Sequence, residues 1–241
     1  MPIPEIPPYV FSDAVRHFWN TRERQANSQV QRGAMDQGAR TAVTGGKQMD
    51  GFCSTIRRFL LDAGVRLETI YINGERELPG FFRPTKEWDM VLVNDETLIA
   101  SLELKSQVGP SFGNNVNNRT EEALGNAVDI WTAYREGAFR TSPQPWVGYL
   151  LLLEECKRSL APVRVSEPHF PVFPEFKGAS YGKWYELLCR KLVRERQYSA
   201  ACFMMSPKAT ASEQENYREP AEDLSAKIFL EGLLTHAAPV R

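Results

Sequence analysis

The chain has 241 residues, of which 42% are hydrophobic and 24% charged, and its net charge at pH 7 is −1. This composition excludes a largely disordered protein and permits one α/β domain over 1–241, but it does not by itself indicate a nucleic-acid partner. No apolar run approaches the roughly 18 residues that a membrane span needs, and the proline-rich residues 1–8 do not resemble a signal peptide. We therefore expect a cytoplasmic protein without membrane association.

The N-terminal region, 1–66, is predicted to hold two helices joined by a polar segment. Apolar residues recur at helical spacing over 10–24 and again over 52–63, where Gly64 is a typical C-terminal stop. Between the two helices, 25–48 is rich in Gln, Asn, Arg and Gly and poor in core-forming residues. This composition indicates an extended loop or arm, and we expect a polar loop of that length to have a function.

Three β-strands are predicted next. A short β-prone run at 69–72 ends at Asn73-Gly74, and two longer apolar runs follow at 88–93 and 98–105. Only residues 94–97 separate the two longer runs, so a β-hairpin is the simplest connection between them.

The second half of the chain alternates helices and strands. We predict a Gly/Asn-rich loop at 107–119, helices at 120–137 and 181–196, buried strands at 146–153 and 198–205, a proline-rich loop between these strands, and a last helix at 221–234. Thr120, with two glutamates after it, suits the start of the helix at 120–137. The element order α-α-β-β-β-α-β-α-β-α indicates the α/β class, with a central mixed β-sheet flanked by helices.

Cysteine and histidine are scattered rather than clustered. No C-x-x-C pair occurs, and each of the four cysteines lies in an apolar or helical stretch (Cys53, Cys156, Cys189 and Cys202). We therefore expect buried free thiols rather than a zinc site.

The predicted hairpin carries the residues with the clearest chemical meaning. Asp89 lies on its first strand, and Glu103 and Lys105 lie two residues apart on its second. Since side chains alternate along a strand, Ser101, Glu103, Lys105 and Gln107 share one face, and apolar residues fill the other. We therefore expect one polar face and one core face.

This set of side chains suits phosphodiester hydrolysis. Asp89, Glu103, the carbonyl of Leu104 and a substrate phosphate would form an oxygen-rich set for Mg²⁺, and the ammonium of Lys105 could hold the attacking water. An isolated Glu-x-Lys triplet is weak evidence, because such triplets are common on exposed surfaces. Here it lies in an apolar run with an acid on the paired strand, which favours a site over surface decoration.

The shared site also constrains the hairpin register. Asp89 and Glu103 face the same side only if paired residue numbers sum to 192 near them. A regular two-residue turn at Asp95-Glu96 would instead place Asp89 opposite Leu102, facing the core. The sequence therefore predicts either an odd loop or a β-bulge.

Three stretches of the chain resemble the XhoI-type restriction endonucleases. They are GARTAVTGGKQMDGF (38–52), ELPGFFRPTKEWD (77–89) and ELKSQVGPSFGNNVNNRTEEALG (103–125). Asp89 with Glu103-Leu104-Lys105 also resembles the active-site signature of the PD-(D/E)xK nuclease superfamily. Trp88 stands where the superfamily has proline, a position known to vary.

The resemblance implies a fold, an activity and roles for single residues. The fold would be restriction-endonuclease-like, Asp89 and Glu103 would be Mg²⁺ ligands, and Lys105 would be the catalytic lysine. The activity would be that of a type II enzyme in the bacterial cytoplasm, cutting double-stranded DNA within CTCGAG to leave four-base 5′ overhangs. Cutting both strands of a palindrome calls for a homodimer. A repair or junction nuclease with the same core and a DNA-binding protein without catalysis are the alternatives.

Several polar residues are candidate DNA contacts. They are Lys47, Gln107, Asn114, Asn115, Asn117, Asn118 and Arg119, with the stretch 22–40 as a second candidate reader. The Asn cluster is equally typical of a turn. Lys/Arg residues also outnumber acids by eight to four over 10–60 and by six to two over 177–197, which fits DNA contacts and solvated helix faces alike. Asp50 is a possible extra metal ligand, but capping of the second helix is the favoured role.

Overall fold

A computed structural model describes residues 3–31 and 47–238. The helices are α1 (Ser12–Gln31), α2 (Asp50–Asp62), α3 (Phe112–Arg135), α4 (Lys157–Leu160), α5 (Tyr181–Arg194) and α6 (Ala226–His236). The strands are β1 (Ile70–Tyr71), β2 (Glu77–Pro79), β3 (Thr85–Glu87), β4 (Met90–Asn94), β5 (Thr97–Gln107), β6 (Trp146–Glu154) and β7 (Ala200–Ser206). The predicted α/β class with a mixed central sheet is confirmed.

The central sheet has five strands in the order β1-β4-β5-β6-β7. β1, β4 and β5 pair antiparallel, whereas β5, β6 and β7 pair parallel. Parallel neighbours need crossover connections, and α3 and α5 supply them. β2 and β3 form a separate two-stranded sheet, which the sequence analysis did not predict.

A β-bulge sets the register of the hairpin between β4 and β5. Near the turn, Val93 pairs with Leu98, but the next pair is Leu92 with Ala100, so Ile99 is an extra residue on β5. The turn itself has two residues, Asp95 and Glu96, with φ of 45° and 63°, as a tight hairpin requires. The prediction that an odd loop or a bulge intervenes is confirmed, in its bulge form.

Two apolar layers enclose the sheet. On one side Phe18, Phe52 and Phe229 of α1, α2 and α6 pack against the sheet, and on the other side α3 and α5 bury residues such as Ala127 and Tyr185. Strands β6 and β7 are buried on both faces, as expected for parallel strands covered by helices. The sheet thus holds the central part of β5 between two cores.

The N-terminal region differs in part from the prediction. α1 continues to Gln31, so the interpretation of 25–31 as an extended loop is wrong, and the rest of the predicted arm, 32–46, lies outside the described residues. The buried side chains of Phe18 and Trp19 anchor α1 in the core. The more polar second half of the helix continues from this anchored part. α2 ends as predicted, with Gly64 at φ 90°.

The largest error concerns 107–119, which was predicted to be a loop. α3 begins at Phe112, so all the Asn residues of this stretch are helical. Asn costs well under 1 kcal/mol of helix propensity, and the burial of Phe112 and Val116 against the second core outweighs that cost. Thr120 therefore does not start the helix.

The last helix and the cysteines need smaller corrections. α6 begins at Ala226, because residues Glu222–Leu224 form a separate 3-10 turn. All four cysteines are free, but Cys156 is only half-buried. Among residues 3–31 and 47–238, no helix is long and apolar enough to cross a membrane. The division into domains stays a prediction.

Candidate active site

Asp89 lies immediately before β4, at the edge of β5. Its N–H donates to the carbonyl of Leu102 (3.1 Å), and its carboxylate Oδ2 accepts from the N–H of Leu104 (2.7 Å). Residues 103–107 run past the last pairing of β4 with β5, Met90 with Leu102, so no strand of the hairpin covers that edge. The carboxylate of Asp89 occupies the start of this uncovered edge.

Glu103 is held by two lysines. Its side chain is 2% exposed, its Oε1 forms an ion pair with Lys105, and its Oε2 accepts from the ammonium of Lys86 at 2.5 Å. Lys86 also donates to the carbonyl of Glu87 (3.0 Å), and its ammonium lies 4.5 Å from the ring centroid of Trp88. Both oxygens of this buried carboxylate therefore have cationic partners.

The charges of the site act on one another. Burial and then the charge of Glu103 raise the pKa of Asp89, and Lys105, the Leu104 N–H and Lys86 only partly offset them. Burial alone would raise the pKa of Glu103, but the charges of Lys105 and Lys86 outweigh it, and that pKa is lowered. Burial would lower the pKa of Lys105, yet Glu103 and Asp89 outweigh it and raise the pKa. The four groups thus form one electrostatic cluster.

The face of β5 that carries the predicted polar side chains is largely buried. Ser101, Glu103 and Gln107 are buried, because α3 and α5 cover the face that carries them. The burial pattern along the strand shows that both faces contact a core, apart from a short opening at Lys105 and Ser106. Coulomb interactions are therefore stronger here than on an exposed strand.

The donor set fits a divalent cation. N–H and C=O groups of one residue point to the same edge of a strand, so the carbonyl of Leu104 faces the side on which Asp89 lies. Carboxylate and carbonyl oxygens with water suit Mg²⁺. No group of three or more His, Cys, Asp or Glu able to hold a metal occurs in 3–31 or 47–238, so substrate and water would have to complete the shell of an ion.

The β2–β3 hairpin, which supplies Lys86, is fixed to α3 through Asp129. This buried carboxylate accepts from the N–H groups of Phe81 (2.8 Å) and Phe82 (2.9 Å) and from Arg83 Nε (2.6 Å). Any Cβ at Gly80 would lie 2.6 Å from Asp129 Oδ2, so only glycine allows this approach. The backbone of the hairpin is therefore held, and Lys86 can move mainly through its side chain.

Sequence reasoning missed Lys86, although it lies within the stretch 77–89. The available signal was its place three residues before Asp89. Without the unpredicted β2–β3 pairing, nothing indicated that Lys86 points at Glu103.

The candidate DNA contacts lie on or near the start of α3. Asn114, Asn117 and Asn118 are exposed on the helix, whereas Asn115 and Arg119 are half-buried. The positive charge of Arg119 acts on Lys105, where it offsets a small part of the rise in that lysine's pKa. The start of α3 therefore presents exposed polar side chains on a helix, where most of a loop was predicted.

The remaining candidates have other surroundings. Gln107 is buried, and its amide donates to the Val108 carbonyl (2.7 Å). Lys47 is exposed and borders the undescribed stretch. Asp50 is exposed at the start of α2, where Met49 is the N-cap without a side-chain hydrogen bond, so the predicted capping role is wrong. Arg190 in the basic helix α5 is paired with Asp223 and Glu186.

Comparison with known proteins identifies the family of the chain. The family model for restriction endonuclease XhoI matches residues 28–219, which include the whole β4–β5 hairpin. No solved structure matches the chain.

Three curated relatives are type II restriction enzymes. The chain is 54% identical to BstVI of Geobacillus stearothermophilus over 84% of its own length and 92% of that enzyme's. It is 47% identical to XhoI of Xanthomonas vasicola (74% and 72%) and 48% identical to AbrI of Azospirillum brasilense (66% and 71%). This chain therefore belongs to the XhoI family of type II restriction endonucleases, enzymes that hydrolyse double-stranded DNA and generally use divalent metal ions.

Proposed function

We propose that this enzyme cuts both strands of a palindromic DNA site containing CTCGAG, with Mg²⁺ as its cofactor and with Asp89, Glu103 and Lys105 as its catalytic residues. The observation that carries the proposal is the bulge at Ile99. It allows a tight hairpin turn and still gives the register in which Asp89 can share the face of Glu103. Family membership supports the reaction, and the geometry supports the residues.

Each residue has a distinct task in this proposal. Asp89, Glu103 and the carbonyl of Leu104 would hold the ion, which supplies positive charge to the phosphoryl oxygens and lowers the pKa of bound water. The hydrogen bond that Asp89 Oδ2 accepts from the Leu104 N–H would hold its carboxylate in place for this. Lys105 would hold the attacking water, and Glu103 fixes the position of its ammonium.

DNA contacts are proposed for the start of α3 and for the segment before α2. Asn114, Asn117 and Asn118 are exposed, and amide side chains can pair with adenine edges. Arg119, whose charge acts on Lys105, would contact DNA from the same part of α3. The exposed Lys47 would contact the DNA backbone. Asn115 and Gln107, predicted as contacts, would need to change conformation to reach a base.

The assembly proposed is a two-fold homodimer in the bacterial cytoplasm. A palindromic site presents two equivalent phosphodiester bonds, and two copies related by a two-fold axis place one catalytic set on each. Sedimentation of the protein with and without a CTCGAG duplex tests this. A monomer that stays monomeric on DNA and cuts both strands in one binding event would contradict it.

A plasmid with one CTCGAG site tests the activity. We expect one linear product with Mg²⁺, no product with EDTA, and no cleavage of a plasmid whose site carries one changed base pair. Asp89→Asn, which keeps the size and an oxygen acceptor, is the matched inactive control. Structure-selective nicking at a cruciform would indicate a junction nuclease instead, and retardation of the plasmid without cleavage would indicate a binding protein.

A further inference from the structure

Lys86 places a second ammonium on the carboxylate of Glu103. The side chain of Lys86 is 11% exposed, its Nζ lies 2.5 Å from Glu103 Oε2, and the Trp88 ring flanks it at 4.5 Å. Lys105 occupies the other oxygen, Oε1. Each oxygen of the Glu103 carboxylate therefore forms an ion pair with a lysine.

The charges of the cluster balance without an ion. Asp89 and Glu103 carry two negative charges, and Lys86 and Lys105 carry two positive charges. A divalent cation that entered beside both lysines would give the buried site a net charge of +2, which a low-dielectric environment strongly disfavours. An ammonium must therefore leave Glu103 when the ion binds.

The structure indicates which lysine leaves. Lys105 lies on β5, two residues from Glu103 on the same strand, and Asp89 attracts it more strongly than it attracts Lys86. Lys86 comes from the separate β2–β3 sheet, its ammonium contacts the Glu87 carbonyl and the Trp88 ring, and its four-carbon side chain is flexible. Retreat of Lys86 frees Oε2 without moving β5.

We infer that Lys86 is a positioning residue that acts as an exchangeable counter-ion: it holds Glu103 in the ion-free enzyme and yields Oε2 to the incoming divalent cation. This inference rests on the proposed metal site. Lys86 thereby keeps the carboxylate charged and oriented before the ion arrives, at the cost of competing with it.

The test measures Mn²⁺ binding to the full chain without DNA, by electron paramagnetic resonance of free Mn²⁺, together with melting temperatures in EDTA and in saturating Mn²⁺. Lys86→Met keeps the aliphatic stem beside Trp88 and removes the ammonium, and Lys86→Arg keeps the charge. Lys191→Met is the matched control, because Lys191 also pairs with a glutamate, Glu175 (2.7 Å), and lies over an aromatic ring, away from Glu103.

We expect Lys86→Met to bind Mn²⁺ more tightly than the wild type, by a factor on the order of ten, since one competing buried charge is gone. Its melting temperature should be lower than that of the wild type in EDTA, and saturating Mn²⁺ should remove this deficit. Lys86→Arg should not tighten binding, and Lys191→Met should bind Mn²⁺ as the wild type does.

Two results would overturn the inference, and they differ. If Lys86→Met binds Mn²⁺ with unchanged affinity and its melting deficit persists in Mn²⁺, Lys86 is only a structural ion pair and the metal site stands. If neither the wild type nor Lys86→Met binds Mn²⁺, or if Glu103→Gln leaves their Mn²⁺ binding unchanged, the metal site itself is wrong.

Discussion

The two carboxylates of the site should have opposite effects on stability, although we propose that both are needed for cleavage. Glu103→Gln removes the carboxylate that forms ion pairs with both Lys86 and Lys105, and Gln cannot neutralise either ammonium. Asp89→Asn removes a like charge beside Glu103, and the Asn oxygen can still accept from Leu104. We expect the first variant to be destabilised in EDTA and the second to be as stable as the wild type or more so.

The magnitude follows from burial. Loss of one partner of a buried ion pair costs roughly 3–5 kcal/mol, and because Lys105 is 25% exposed and can turn towards water, the lower end applies to Glu103→Gln. About 3 kcal/mol corresponds to a fall in melting temperature of about 6–12 °C for a chain of this size. The raised pKa of Asp89 indicates that its charge is disfavoured in the folded protein, so Asp89→Asn should raise the melting temperature rather than lower it.

Differential scanning calorimetry in EDTA at neutral pH, with plasmid cleavage measured in Mg²⁺, checks both variants. Both should lose cleavage. Equal destabilisation of Asp89→Asn and Glu103→Gln would refute the reasoning, because it would mean that the lysines do not depend on Glu103 for charge compensation.

Two further variants probe other parts of the site. Lys105→Met should lower the single-turnover cleavage rate by about 100-fold or more while the affinity for a CTCGAG duplex in Ca²⁺ stays within a few fold, and a gel-shift titration with quenched-flow kinetics would reveal a mere binding defect. Asp129→Asn should cost about 2 kcal/mol at neutral pH, because hydrogen bonds from Phe81, Phe82 and Arg83 to a charged acceptor weaken. Burial would raise the pKa of Asp129, but the hydrogen bonds of Phe82 and Arg83 outweigh it and lower the pKa. The stabilisation that the charged carboxylate provides is therefore fully present above the ordinary pKa of 3.8 and is lost as the pH falls through the lowered pKa. Urea melts from pH 7 downwards should therefore show a stability difference between the two proteins that shrinks once the pH falls below 3.8, and a difference that stays constant there would contradict this cause.

Strand positions were predictable because their signal is local. The apolar runs that became β4, β5, β6 and β7 are long and bounded by turn residues, so their burial follows from composition alone. The register constraint was also predictable, since a requirement that Asp89 and Glu103 share a face leaves few ways to build the hairpin.

The start of α3 was not predictable from local preferences. Asn and Gly residues at 113–118 favour turns, and only the tertiary burial of Phe112 and Val116 extends the helix through them. Lys86 was missed for a related reason: its meaning depends on the pairing of two three-residue strands and on the contact of Asp129 with residues 81–83, all of which are long-range.

The burial of the polar face of β5 could not be predicted, because alternation along a strand gives the direction of a side chain but not what covers it. Helices α3 and α5 close over that face, so Glu103 is nearly as buried as the leucines on the opposite side. An unpaired carboxylate there would cost several kcal/mol, and two of them would oppose folding of the ion-free chain. The lysines remove that cost, which lets the hairpin reach its register before any ion binds. Because of the same compensation, a divalent ion would bind more weakly than it would to two carboxylates without lysine partners. A substrate phosphate that completes the ligand shell of the ion would then contribute decisively to holding the ion.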